Sequence, residues 1–295
     1  MIDDILKEVE EYRTIAIQAP EGLKRLAEEL VGKLGEAFIF ADPCYGACDI
    51  KDIEAKELGA EVLIHLGHRD FGLEHCLPVL FYPYYYDIDV KDKDIERISE
   101  AIGDNAFSIC FSINFERVAH KVASALESTG KKASGMRCVL GCSFPSIEDV
   151  VLYLGDGSFH PLGIALKSRV LAFDPLTGEL KDMSAEGKAL DRKRRGNLLG
   201  VLSAERIGIL VSTKRGQQRM KEAIEMKKML ENKGKKVEIF VMDRIEESSL
   251  TGYRVEAYVS TACPRIALDD EFEKPIVNYT DLIDIERKVR DEQTR

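Results

Sequence analysis

The chain has 295 residues, of which 45% are hydrophobic and 32% charged, with a formal net charge of −10. That composition builds ordinary packed cores, and the length is that of two or three domains. The acidic balance excludes wrapping of nucleic acid, which depends on lysine and arginine neutralising phosphates. No apolar run is long enough to span a bilayer, and the acidic start Met1-Ile2-Asp3-Asp4 lacks a signal-peptide core, so neither a membrane nor nucleic acid is an expected partner. A cytoplasmic location follows as the expectation.

Ile2, Ile5, Leu6 and Val9 share one face of a short packing helix at the N-terminus. Thr14 to Pro20 is a short apolar run that predicts a buried strand. Leu23, Leu26, Ala27, Leu30, Val31 and Leu34 then recur at helical spacing, with Gly35 as the left-handed stop. Ala37 to Phe40 predicts a second strand, which leads into Tyr45-Gly46-Ala47-Cys48-Asp49.

The plan repeats in the middle of the chain. Ala106 to Phe111 is a strand, Val118, Val122, Ala125 and Leu126 form a helix stripe, and Gly130 ends it. Met136 to Leu140 leads into Leu140-Gly141-Cys142-Ser143-Phe144-Pro145. The third pass runs from the strand Ile207 to Val211, through Ala223, Met226 and Leu230, to Gly234 and the strand Val237 to Val241. Here the cysteine loop, Thr261-Ala262-Cys263-Pro264-Arg265, follows a third strand, Val255 to Val259. The expected fold class is α/β: three related βαβ-type domains over 1–98, 99–196 and 197–295, with parallel sheets around a central site. Asp191 to Gly196 reads as a solvated helix connecting the second and third domains.

Seven cysteines in a reducing compartment point away from disulfides and toward metal binding, catalysis or burial. Cys76 and Cys110 read as small buried hydrophobes, and Cys138 as a core residue of its strand. Cys44/Cys48 and Cys138/Cys142 share C-x3-C spacing, which makes no tidy zinc site together with a lone Cys263. Taking one cysteine per domain gives Cys48, Cys142 and Cys263, and Cys44 stays open because it shares the Cys48 loop. Three thiolates can hold a 4Fe–4S cluster and leave one iron free for a substrate, since full ligation takes four.

Taken together, the three cysteine loops resemble the archaeal diphthamide synthase iron–sulfur family. Pro20-Glu21-Gly22-Leu23, His65-Leu66-Gly67-His68, Gly155-Asp156-Gly157-Ser158-Phe159-His160 and Ser212-Thr213-Lys214-Arg215-Gly216-Gln217 extend the likeness over nearly the whole chain. The resemblance implies a homodimer whose subunits each hold a 4Fe–4S cluster through Cys48, Cys142 and Cys263, with S-adenosyl-L-methionine at the open iron. It implies transfer of a 3-amino-3-carboxypropyl radical to the imidazole C2 of a histidine in translation elongation factor 2, with an external reductant. The chain carries no C-x3-C-x2-C run of the kind found in the usual radical S-adenosylmethionine enzymes.

Within that resemblance, Gly155, Asp156 and Gly157 follow the strand Val151 to Leu154 and are candidates for the nucleoside, with His160 lining the same place. Thr213, Lys214, Gly216 and Gln217 are expected to open a helix whose free N–H groups attract the methionine carboxylate. Pro20, Glu21 and Gly22 occupy the matching turn of the first domain, where Glu21 can meet an ammonium. His65 and His68 end the strand Val62 to Ile64, and in extended chain their side chains point to opposite faces, so no second metal site is expected there. Arg265 reads as a helix-start charge, and Tyr82, Tyr84, Tyr85 and Tyr86 as packing residues. A quinolinate synthase-like enzyme, a non-catalytic electron-transfer subunit and a metal-free binding protein are the alternatives.

Overall fold

The computed structural model describes residues 1–70, 72–142, 150–269 and 272–293. In chain order the elements are α1 (Ile2–Glu8), β1 (Thr14–Gln18), α2 (Lys24–Val31), β2 (Glu36–Phe40), α3 (Asp52–Glu57), β3 (Val62–Leu66) and β4 (Val79–Tyr82). Next come α4 (Asp92–Ile102), β5 (Phe107–Phe111), α5 (Glu116–Ser128), β6 (Met136–Cys138), β7 (Val150–Leu154), α6 (Phe159–Ile164), β8 (Val170–Asp174), β9 (Glu179–Asp182) and α7 (Ser184–Ser203). The last are β10 (Arg206–Ser212), α8 (Met220–Glu231), β11 (Lys236–Met242), β12 (Ala257–Ser260), α9 (Ile266–Asp269), β13 (Ile276–Asn278) and α10 (Tyr279–Gln293). The chain forms two compact units, one of residues 1–87, 113–118 and 214–216, the other of residues 88–112, 119–213 and 217–295.

The first unit is built on a parallel sheet in the order β2-β1-β3-β4. Alternation along the strands feeds two faces. Ile15 and Ile17 of β1 with Val62, Ile64 and Leu66 of β3 pack against Ile5 of α1 and Leu30 of α2. Ala16 and Leu63 point the other way, onto Ile50, Ala55 and Ala60. The stop after α2 differs from expectation. Gly32 closes the helix with an ordinary right-handed φ of −62° and an N–H donated to Glu28 O at 3.1 Å. Gly35 is not among the glycines with positive φ, so that turn needs no left-handed residue.

The second unit carries two sheets. One has the order β6-β5-β7-β8-β9, parallel except for the antiparallel pair β8/β9, and the other is the parallel sheet β11-β10-β12-β13. All three sheets therefore share a pattern in which the first strand lies between the second and the third. The fold is α/β with three parallel-dominant sheets, as the sequence predicts. Gly130 (φ +88°) and Gly234 (φ +81°) adopt the left-handed geometry expected after α5 and α8. Residues 191–196 lie within α7, where Arg194 pairs with Asp281 at 2.6 Å. Among the described residues, no helix is long and apolar enough to cross a membrane.

Candidate metal centre

β2 ends at Phe40 and the chain runs irregularly to α3, so Cys48 sits on a loop at the carboxyl end of a parallel strand, where such sheets carry chemistry. Cys48 is half-buried. Three residues from far along the chain hold it. The Gly216 N–H donates to Cys48 O at 3.0 Å, and a Cβ on Gly216 would lie 2.6 Å from both Cα and Cβ of Cys48. Lys214 Nζ lies 2.7 Å from Asp49 Oδ1, with side chains only 8% and 2% exposed, and Arg215 Nη1 lies 2.5 Å from Asp52 Oδ2. Burial opposes the Lys214 ammonium and leaves the Asp49 carboxyl above its ordinary value. At Asp52 burial also raises the carboxyl, but the Cys76 N–H and the Arg215 guanidinium outweigh it and hold it below the usual range.

These contacts revise the reading of residues 213–217. They form a turn, and the helix begins only at Met220. The Gly216 N–H is donated to Cys48 O and Lys214 pairs with Asp49, so the expected helix start is absent at these residues. Thr213 Oγ1 donates to Asp243 Oδ1 at 3.3 Å, and Gln217 is buried. In the first unit, Glu21 is exposed and pairs with Lys24 at 2.7 Å, and Gly22 is exposed. Pro20 packs on Gly67, where a Cβ would meet its Cγ at 3.0 Å.

In the second unit Cys142 is exposed and Cys263 half-buried. Ser143, Phe144 and Pro145 of the middle motif lie outside the described residues. Phe159 joins the neighbours of the two cysteines. A Cβ on Gly141 would overlap the Phe159 ring, and the Arg265 guanidinium lies 4.2 Å from the centroid of that ring. Arg265 is 4% exposed, so it is a buried cation on an aromatic face rather than a solvated helix-start charge. The Ile266 N–H donates to Cys263 O at 3.1 Å, and Asn278 Nδ2 to Pro264 O at 3.0 Å, which fixes the loop after β12.

Gly155 is buried against Tyr153 and Ser112, while Asp156 and Gly157 are exposed on the turn after β7, Gly157 with φ +64°. His160, the second residue of α6, stacks on Tyr153 with centroids 5.9 Å apart. Burial, with the Arg265 cation adding to it, pushes the His160 imidazole down to about 4. Cys110 is buried as expected, but Cys76 and Cys138 are exposed. For Cys138 the reason is topological, because β6 is a three-residue edge strand with every residue exposed.

The largest departure concerns the histidines. Instead of pointing apart, His65 Nε2 and His68 Nδ1 meet at 3.0 Å. The strand ends at Leu66, and Gly67 at φ +84° folds the chain back so that His68 returns over the strand end. Cys44 joins them: the three ligand atoms lie within 4.8 Å of one another. Sequence reasoning also missed Gln18, whose Oε1 is 3.2 Å from His65 Nδ1, although it lies in the predicted strand β1.

A family model for diphthamide synthesis proteins matches residues 19–286. The chain is 36% identical to a 2-(3-amino-3-carboxypropyl)histidine synthase of Pyrococcus horikoshii, over 93% of this chain and 86% of that protein. The crystal structure of Dph2 from the same organism superposes with a TM-score of 0.87 at 33% identity, covering 95% of this chain and 88% of that one. A second crystal structure of that Dph2, with a 4Fe–4S cluster, gives a TM-score of 0.86 over 95% and 89% of the two chains.

Proposed function

We propose that this chain, which belongs to the diphthamide synthesis family, transfers the 3-amino-3-carboxypropyl group of S-adenosyl-L-methionine to the imidazole C2 of a histidine in translation elongation factor 2. The observation that carries it is the 36% identity to a 2-(3-amino-3-carboxypropyl)histidine synthase across 93% of the chain. The family match takes the place of the quinolinate synthase-like alternative.

Cys48, Cys142 and Cys263 are the ligands in this proposal. The residues present suit the group: each thiol lies in a short loop following a parallel strand, and none of the three is fully buried. The close approach of Gly216 to Cys48 leaves no space that a side chain could take up there. A reduced 4Fe–4S cluster with one open iron would supply the electron that cleaves the S–Cγ bond of S-adenosyl-L-methionine, with methylthioadenosine as the other product.

The chain's own residues orient and exclude. Lys214, Arg215 and Gly216 hold the Cys48 loop in register through Asp49, Asp52 and the Cys48 carbonyl. Phe159 and Arg265 brace the neighbours of Cys142 and Cys263. Asp156, exposed on a turn with Gly155 and Gly157, offers a carboxylate to the hydroxyls of the nucleoside. His160, kept neutral at pH 7 by burial, adds no charge beside it. Glu21 is the candidate partner for the substrate ammonium. The working form is a homodimer with an external reductant.

Iron analysis tests the ligand set. Cys48→Ala, Cys142→Ala and Cys263→Ala are each expected to lose the cluster after anaerobic reconstitution, while Cys138→Ala keeps it. A full iron complement in any of the first three overturns the assignment. Mass spectrometry of elongation factor 2 incubated with the reconstituted wild type should show the aminocarboxypropyl addition on one histidine peptide.

A further inference from the structure

We propose that Cys44, His65 and His68 bind a divalent ion of the zinc class, separate from the three loop cysteines, which ties the Cys48-bearing loop to the end of β3. The ligand atoms lie within 4.8 Å of one another, and His65 Nε2 is 3.0 Å from His68 Nδ1. Two imidazole nitrogens on one tetrahedral zinc, at about 2.0–2.1 Å each, are roughly 3.3 Å apart. The pair therefore has to open by only a few tenths of an ångström. Cys44 is 6% exposed and His65 fully buried, so two of the three donors are already removed from water, while His68 is half-buried.

The surroundings fix the tautomer of His65 that a metal needs. Gln18 Nε2 donates to Asp49 O at 2.6 Å, which turns the amide oxygen toward the Lys51 N–H at 3.2 Å. The same oxygen is 3.2 Å from His65 Nδ1. An amide oxygen only accepts, so Nδ1 carries the proton and Nε2 presents its lone pair toward His68 and Cys44. Metal-bound histidines are characteristically held this way by an acceptor on the second nitrogen. The backbone supports the same geometry: Gly67 has φ +84°, and a Cβ there would lie 2.9 Å from Leu23 Cδ1 and 3.0 Å from Pro20 Cγ. Only glycine makes the turn that brings His68 back.

One sulfur and two imidazoles form a donor set that suits zinc rather than calcium or magnesium. Binding uses the Cys44 thiolate, so one proton leaves to solvent for each ion bound. Three protein ligands leave the fourth tetrahedral position to water. Because Cys44 is four residues before Cys48 and Gln18 also binds Asp49 O, the ion would stiffen the loop from both sides.

The test uses the full chain with Cys48, Cys142 and Cys263 all changed to serine, so that no iron–sulfur ligand contributes. Anaerobic titration with Co(II) should give one equivalent bound, with the visible bands of four-coordinate cobalt and a thiolate-to-cobalt charge-transfer band, both bleached by zinc. Adding Cys44→Ser should abolish the charge-transfer band. Gln18→Met, which leaves all three ligands in place, should weaken zinc binding about 10- to 100-fold. Absence of the four-coordinate cobalt spectrum, or an unchanged spectrum after Cys44→Ser, overturns the proposal. Either result is independent of whether the wild type carries a 4Fe–4S cluster.

Discussion

Alanine at Gly216 should loosen the Cys48 loop without unfolding the sheet β2-β1-β3-β4 that carries it. The added Cβ would lie 2.6 Å from Cys48 Cα and Cβ and 2.9 Å from Cys48 O, whereas ordinary contact begins at 3.4 Å. The two segments must therefore separate by about 0.8 Å, and the obstacles are backbone and Cβ atoms rather than the flexible end of a side chain. Separation also stretches the 3.0 Å bond from the Gly216 N–H to Cys48 O, and it pulls on the 2.7 Å pair of Lys214 with Asp49. Overpacking of this kind costs about 1–3 kcal/mol, which corresponds to roughly a 5- to 150-fold loss if it falls on the cluster-bound form. The assay is iron and sulfide per chain after anaerobic reconstitution, followed by the rate of iron loss to a chelator. Gly196→Ala, where a Cβ would meet nothing within 4 Å, is the control and should behave as wild type. Wild-type iron retention and an unchanged Tm in Gly216→Ala would refute the reasoning.

Lys214→Met leaves the Asp49 carboxylate buried without its cation and should cost about 3–5 kcal/mol in urea unfolding. The double variant Lys214→Met/Asp49→Leu should recover most of that, and equal losses in single and double variants would count against a buried pair. His160 gives a pH signature. Its folded value of about 4 lies below the unfolded 6.5, so in that window the unfolded chain binds the extra proton. Its contribution is complete above pH 6.5 and is lost as pH falls toward 4, at up to about 1.4 kcal/mol per pH unit. His160→Gln should flatten the wild-type slope across that range, and parallel curves for the two proteins would contradict the assignment.

What the sequence makes legible is local. Continuous apolar runs such as Ile207 to Val211 mark strands buried on both faces, and the helical stripes of α2, α5 and α8 follow from side chains repeating every three or four residues. The loop cysteines stand out because they follow those strands. The contacts that hold the Cys48 loop are not local. Lys214 and Asp49 are 165 residues apart and Arg215 and Asp52 163 apart, so no pattern in a window pairs them. Lacking those partners, residues 213–217 read as a helix start, and their charges as free for a ligand. The His65/His68 error has a different origin. Strand alternation stops at Leu66, where one left-handed glycine ends the strand and reverses the direction of the next imidazole. Cys138 fails for a third reason, because its strand lies at a sheet edge and strand order is not written in a short apolar run.

Anaerobic incubation of the reconstituted chain with dithionite and S-adenosyl-L-methionine, followed by chromatography of the nucleoside products, tests the proposed chemistry most directly. Cleavage at the Cγ side of the sulfur predicts methylthioadenosine, formed by the wild type and absent from Cys48→Ala, Cys142→Ala and Cys263→Ala. 5′-Deoxyadenosine in its place, or no nucleoside product from a brown, reducible protein, would contradict it.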